Sequence, residues 1–209
     1  NFVNAFKTSP QGLPLFDSFN NSNYEVLNDF VDPRLDHTVG MQGKPFKYDT
    51  SLMITNANAW ARAPAIYGNF ISMKELENPN CVCRMSNGPF PIFSMNTVVI
   101  RYADVLLWKA EALIELGRQN EALPIINKIR LRAANSTGML HNASKYNIGL
   151  YAAFANQEEA RRALRFERRL ELGLEGTRFF DLVRWGVAKQ TIDAYLAVEK
   201  VRKPYLTEA

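Results

Sequence analysis

A chain of 209 residues, 47% of them apolar, can bury one good core and a second smaller one, in one domain or two. Its formal net charge of +4 is spread along the whole length, which is too mild a basic footprint for nucleic acid, so no polynucleotide partner is expected. No apolar run reaches the length of a membrane span, and the opening "NFVNAFKTSPQG" has neither a signal-peptide pattern nor an initiator Met, which leaves room for an anchor or export signal upstream.

Residues 1–96 are rich in Asn, Pro, Gly and aromatics, and turn signals such as "DPRL", "QGKP" and "NGPFP" recur before a helical period can establish itself. This half reads as loops. Cys81 and Cys83 have no second Cys pair and no nearby His to complete a tetrahedral metal site, so free thiols are expected rather than a metal centre or a short-range disulfide.

From Thr97 onward apolar residues return every three or four positions, and residues 97–209 read as helical. "TVVIRYADVLLWKAEALIELG" confines Arg101, Asp104, Glu111 and Glu115 to one stripe and is apolar elsewhere, so this helix, Trp108 included, should be largely surrounded. Gly117 suits its C-terminal cap, and Asn120 can cap the next helix, with Pro124 in the first turn. That helix puts Ala122, Ile125, Ile126, Ile129 and Ala133 on one face and leaves Asn127, Lys128 and Arg130 mostly outside it. Together the two make an antiparallel hairpin the size of one tetratricopeptide unit, and a polar linker follows, with formal glycosylation sequons at Asn135 and Asn142.

"QEEARRALRFERRLELG" places Ala163, Phe166, Leu170 and Leu174 at helical spacing, with Glu158 set to pair with Arg162. "LEGTRFFDLVRWG" starts afresh: Thr177 can cap, Arg178, Asp181 and Arg184 share a face, and Phe179, Phe180, Leu182 and Trp185 supply packing. Glu167 and Glu171, or Glu171 and Glu175, could form a general acid and base pair, but the surrounding arginines should keep them ionised. A charged helix-packing seam is therefore expected, not a catalytic site.

"IRYADVLLWKAEALIELGRQNEALPIINKIRLRA" followed by "ERRLELGLEGTRFFDLVRWG" resembles the carboxy-terminal signature of the SusD/RagB family of outer-membrane nutrient-uptake lipoproteins, and "DPRLDHTVG" (Asp32–Gly40) resembles the family's pattern upstream of it. The resemblance implies a mainly α protein, a tetratricopeptide-like helical scaffold carrying a loop-rich ligand-binding region, with no catalysis and no cofactor. It also implies a glycan or peptide ligand, a TonB-dependent outer-membrane transporter as partner, and attachment at the cell surface through a lipid anchor upstream of this chain. One continuous domain truncated on its amino-terminal side is expected, with 1–96 as the loop-rich region and 97–209 as the scaffold.

Sugars are held by aromatic faces on their C–H surfaces and by polar side chains on their hydroxyls. The loop-rich half offers Phe46, Tyr48 and Asp49 in "KPFKYDT", and Asn58, Trp60, Arg62 and Tyr67 in "NANAWARAPAIYGNF". Trp60 is the first candidate, whereas Trp108 and Trp185 lie in helical patterns and should be core. The competing readings are a tetratricopeptide-type protein scaffold and a hydrolase; His37 and His141 are the only histidines, neither has a nucleophile motif beside it, and a structural contact is expected for His37.

Overall fold

The computed structural model describes residues 1–55, 63–64, 68–85 and 92–203. Among the described residues its first half is built from a 3-10 turn (Val3–Phe6), short strands and a short α-helix: β1 (Phe30–Val31), α1 (Arg34–Thr38), β2 (Val39–Met41), β3 (Pro45–Phe46), β4 (Asp49–Met53), β5 (Phe70–Ser72), β6 (Arg84–Met85) and β7 (Ile92–Phe93). β2 pairs antiparallel with β5, β3 with β4, and β6 with β7. β1 instead pairs in parallel with β8 (Lys145–Tyr146), far along the chain.

The second half is helical, with α2 (Tyr102–Glu115), α3 (Gln119–Ala134), α4 (Gln157–Glu171), α5 (Arg178–Arg184) and α6 (Ala188–Arg202). The fold is mostly helical with no closed sheet among the described residues, in agreement with the expected class. Gly117, at φ 73°, ends α2 as foreseen: its N–H bonds to the Ile114 carbonyl and that of Arg118 to Leu113, the paired closure that a left-handed residue permits.

The ends of the hairpin differ from the sequence reading. Val98, Val99 and Ile100 stay outside α2 and exposed, so its apolar run is not all helix. α3 begins at Gln119, one residue before the expected cap Asn120, which places Pro124 in its second turn. At α4 the cap is well formed, because the Asn156 side chain accepts the Glu159 N–H at 2.8 Å.

Two cores meet at α4. Leu107, Ala110 and Ile114 of α2, Ala122 and Ile126 of α3, and Ala163 and Leu164 of α4 form the first. Phe166 and Leu170, one turn further along α4, pack against Phe6, Val31 and Leu35 of the loop-rich half in the second. A fully buried Leu, Ile or Phe contributes about 1.5–3 kcal/mol by removing apolar surface from water, so α4 ties the halves together. The stretch before it is no spacer: Tyr151 and Phe154 enter the first core, and Asn127 of α3, expected outside, bonds both polar backbone atoms of Tyr151.

The charged seam takes a definite form. Asp104, Glu111 and Glu115 on one stripe of α2 pair with Arg168, Arg184 and Arg161 at 2.5–2.8 Å. Glu158 joins Arg161 instead of Arg162, which reaches Asp17. Trp185 is half-buried, with the guanidinium groups of Arg165 and Arg184 4.9 and 5.0 Å from its ring centroid, while its N–H donates to Glu111 at 2.7 Å. Trp108, Phe179 and Phe180, expected as packing residues, are 46%, 58% and 71% exposed, and Leu174 turns away from the α4 stripe at φ 64°.

Cys81 and Cys83 are bonded to each other and not free. The tight turn in which Arg84 N–H bonds to the Cys81 carbonyl brings their Cα atoms to 5.1 Å, within the ordinary disulfide range.

Candidate functional site

The α1 motif Asp32-Pro-Arg-Leu-Asp-His is the pivot of the molecule. Asp32 is fully buried and holds Arg34 with both carboxylate oxygens, at 3.0 Å to Nε and 2.6 Å to Nη2. Arg34 Nη1 then donates to Glu167 at 2.6 Å and Glu171 at 3.2 Å, both on α4. The other Glu167 oxygen accepts from Arg130 at 3.0 Å.

Arg130, which periodicity placed outside the α3 core face, is fully buried. It donates to the carbonyls of Gly12 (2.8 Å) and Gly149 (2.7 Å), and its guanidinium lies 4.8 Å from the Tyr151 ring centroid. Glu167, Glu171 and Glu175 are thus held by cations supplied by α1, α3, the approach to α2 and the segment after β5 rather than by α4 itself. Glu175 binds Lys74 and Arg101.

Burial alone would raise the Glu171 pKa, but Arg34, Arg132 and Arg101 outweigh it and hold the carboxyl at about 2 instead of its ordinary 4.5. A pKa lower in the folded chain than in the unfolded one stabilises above the unfolded value and is lost as pH falls through the folded one. Roughly 3 kcal/mol of stability is therefore expected to disappear between about pH 4.5 and pH 2. Urea midpoints measured across that window check it: a loss that persists undiminished in Glu171→Gln would assign the acid sensitivity to another group.

Outside this buried network lies an open cleft in two adjoining hollows of about 260 and 350 Å³, which share His37, Tyr48, Lys74 and Arg101 as walls. Tyr48 reaches it from a hairpin in which Phe46 pairs with Asp49 across the two-residue turn Lys47–Tyr48. Both turn residues are left-handed, at φ 49° and 67°, where Asn-Gly is the usual choice. Left-handed backbone costs an L-residue roughly 1–2 kcal/mol each, so the surroundings must hold the turn in place.

Asp49 provides that hold. Its carboxylate accepts from the Ser51 N–H and hydroxyl and from the side chains of Asn78 and Asn80, and these bonds keep its pKa well below the usual range. Glu75, also left-handed at φ 56°, lines the same cleft, so strain clusters at this one place.

The hydrogen-bond directions around His37 are fixed. The Ser136 hydroxyl donates to the Ala133 carbonyl at 2.7 Å, so its oxygen accepts from His37 Nε2–H at 2.8 Å. His37 Nδ1 then accepts from the Tyr48 hydroxyl at 2.8 Å, which leaves the Tyr48 oxygen able to accept a further hydrogen bond. Burial, aided by Arg132 and opposed by Asp36, lowers the His37 pKa, so the neutral ring prevails near neutral pH.

Of the sequence-derived candidates, the structure places Tyr48 at the cleft and gives Asp49 the role of anchor behind it. Phe46 is a correction: it is 5% exposed and packs with Ile54 and Met73, so its ring face is turned into a small core. Asn58, Trp60, Arg62 and Tyr67 lie outside the described residues. Sequence reasoning passed over Lys47, Lys74 and Arg132. Only Lys47 carried a signal, standing beside Tyr48 in the quoted "KPFKYDT". Larger hollows of about 540 and 520 Å³ run past Phe2, Phe70 and Leu174, and none of the described sequence candidates lines them.

The chain belongs to the SusD family, whose model matches residues 15–202. It is 39% identical over 101 residues to SusD-like protein P38 of Formosa agariphila, a match covering 46% of this chain and 18% of that protein. SusD-like protein P2 of the same organism is 38% identical over 92 residues, covering 44% and 17%. Among solved structures, a SusD-like protein of Bacteroides fragilis superposes with a TM-score of 0.58 at 22% identity, over 89% of this chain and 35% of that one. A SusD superfamily protein of Bacteroides vulgatus gives 0.55 at 24%, over 78% and 31%. The matched stretch is therefore under a fifth of the curated relatives and about a third of the solved chains.

Proposed function

We propose that this chain belongs to a cell-surface nutrient-binding protein of the outer membrane, which captures a glycan without hydrolysing it and delivers it to a TonB-dependent transporter. A lipid anchor upstream of Asn1 would tether it. Family membership supports the class, and the observation that carries the site is Tyr48, held on a strained turn at the mouth of a cleft whose walls supply both donors and acceptors. That combination suits sugar hydroxyls, each of which donates once and accepts twice. Trp60, Asn58, Arg62 and Tyr67 remain proposed ligand residues.

The test is calorimetry and affinity electrophoresis of the full-length protein against a polysaccharide panel, with Trp60→Ala and Tyr48→Ala alongside. Saturable binding without released product is expected, weakened roughly 3- to 10-fold by each substitution at unchanged melting temperature. Hydrolysis products would overturn the non-catalytic reading, whereas failure to bind any glycan would bring peptide uptake or a protein scaffold to the front.

A further inference from the structure

Resting on that nutrient-binding reading, we infer that the cleft beside Tyr48 selects glycans carrying oxyanions, the carboxylates of uronic acids or sulfate esters, over neutral ones. The inference comes from which end of each ion pair faces out. Glu171 and Glu175 have side chains 1% and 15% exposed, while their partners Arg101 and Arg132 are 26% and 59% exposed. The carboxylates are inside and the guanidinium groups form the wall.

Those groups have donors to spare. Arg132 gives one nitrogen, Nη2, to Glu171. Arg101 commits Nε to Glu175 and Nη2 to Glu171, leaving Nη1. Lys47 lines the cleft from the strained turn and forms no ion pair with a described residue; burial lowers its pKa against a weaker pull from Glu77, so an anion in the cleft would relieve the remaining cost of its charge. Of the acids at the rim, Asp104 is engaged by Arg168 and Glu175 by Lys74 and Arg101, which leaves Glu75, exposed at the edge.

A ligand oxyanion accepting from these N–H groups gains charge-assisted hydrogen bonds, and an adjacent ring hydroxyl can donate to the Tyr48 oxygen. The arrangement thus matches an acidic sugar at two neighbouring positions.

The probes are polygalacturonate against its fully methyl-esterified form, and a sulfated galactan against the same galactan desulfated, each titrated into the full-length protein and into Lys47→Gln and Arg132→Gln. Preference for the acidic member of at least one pair by about tenfold or more is expected. That preference should shrink about threefold or more in each variant, and also as NaCl rises from about 0.05 to 0.5 M. The responding pair tells carboxylate from sulfate. Equal affinity within both pairs, or a preference indifferent to both substitutions, would overturn the oxyanion assignment and leave nutrient binding standing. Absence of binding to all four polymers and to the wider polysaccharide panel would overturn both.

Discussion

Glu167→Gln is expected to remove about 3–5 kcal/mol of stability, because it leaves two buried guanidinium groups facing a neutral amide. Glu167 is fully buried, with Arg34 on one oxygen and Arg130 on the other. Neither arginine can relax into water, since Arg34 is 4% exposed and Arg130 is not exposed at all. Glu121→Gln provides the contrast: its pair with Arg118 lies more than half exposed and is screened by solvent, so its loss should leave the unfolding midpoint nearly unchanged. Urea unfolding of the two variants beside the parent measures the difference, and similar midpoints would mean that the buried network adds little to stability.

A comparable loss, about 3 kcal/mol or more, is expected for Gly12→Ala. A methyl group there would lie 2.1 Å from the Gly149 nitrogen and 2.7 Å from the Ile148 carbonyl carbon, both backbone atoms, and φ is +74°. The two strands of chain touch so closely that the Gly149 N–H bonds to the Gly12 carbonyl at 2.9 Å, the same oxygen that Arg130 holds. Gly43→Ala separates backbone strain from collision, because its φ of +80° is similar but nothing lies within 4 Å of the added carbon. It should cost only about 1–2 kcal/mol. Equal melting temperatures for the two alanine variants would show that the Gly12 contact yields without penalty.

Much of the helical half was legible because periodicity reports which face of a helix is buried. Ala163, Phe166 and Leu170 fall on the stripe that packs, and Gly117 ends α2 where it should. Local pattern cannot say what an opposing segment brings. Arg130 has the spacing of a surface residue on α3, yet its partners Gly12 and Glu167 are 118 and 37 positions away and leave no trace beside it. Val98 to Ile100 and Phe179–Phe180 show the converse, apolar patterns without a described neighbour to cover them.

The site was legible only in part. Aromatics in the loops pointed to Tyr48, but the left-handed backbone at Lys47 and Tyr48 belongs to no residue type that announces it, and Phe46, two positions away, was assigned the wrong side of the same hairpin. The cysteines were misread for a related reason. A tight turn, not the residue count, decides whether neighbours separated by one position can bond.

The Arg34 network also bears on the order in which the chain assembles. Its members come from α1, α3 and α4, and the Arg34–Glu171 link spans 137 positions. Closing loops of that size has an entropic cost before any contact offsets it, whereas the α2–α3 hairpin needs only neighbours in sequence. The hairpin is therefore expected to form early. A nascent chain emerging from the ribosome must wait for α4, with α1 and the Gly12 segment still solvated, until a few late residues close the whole structure at once.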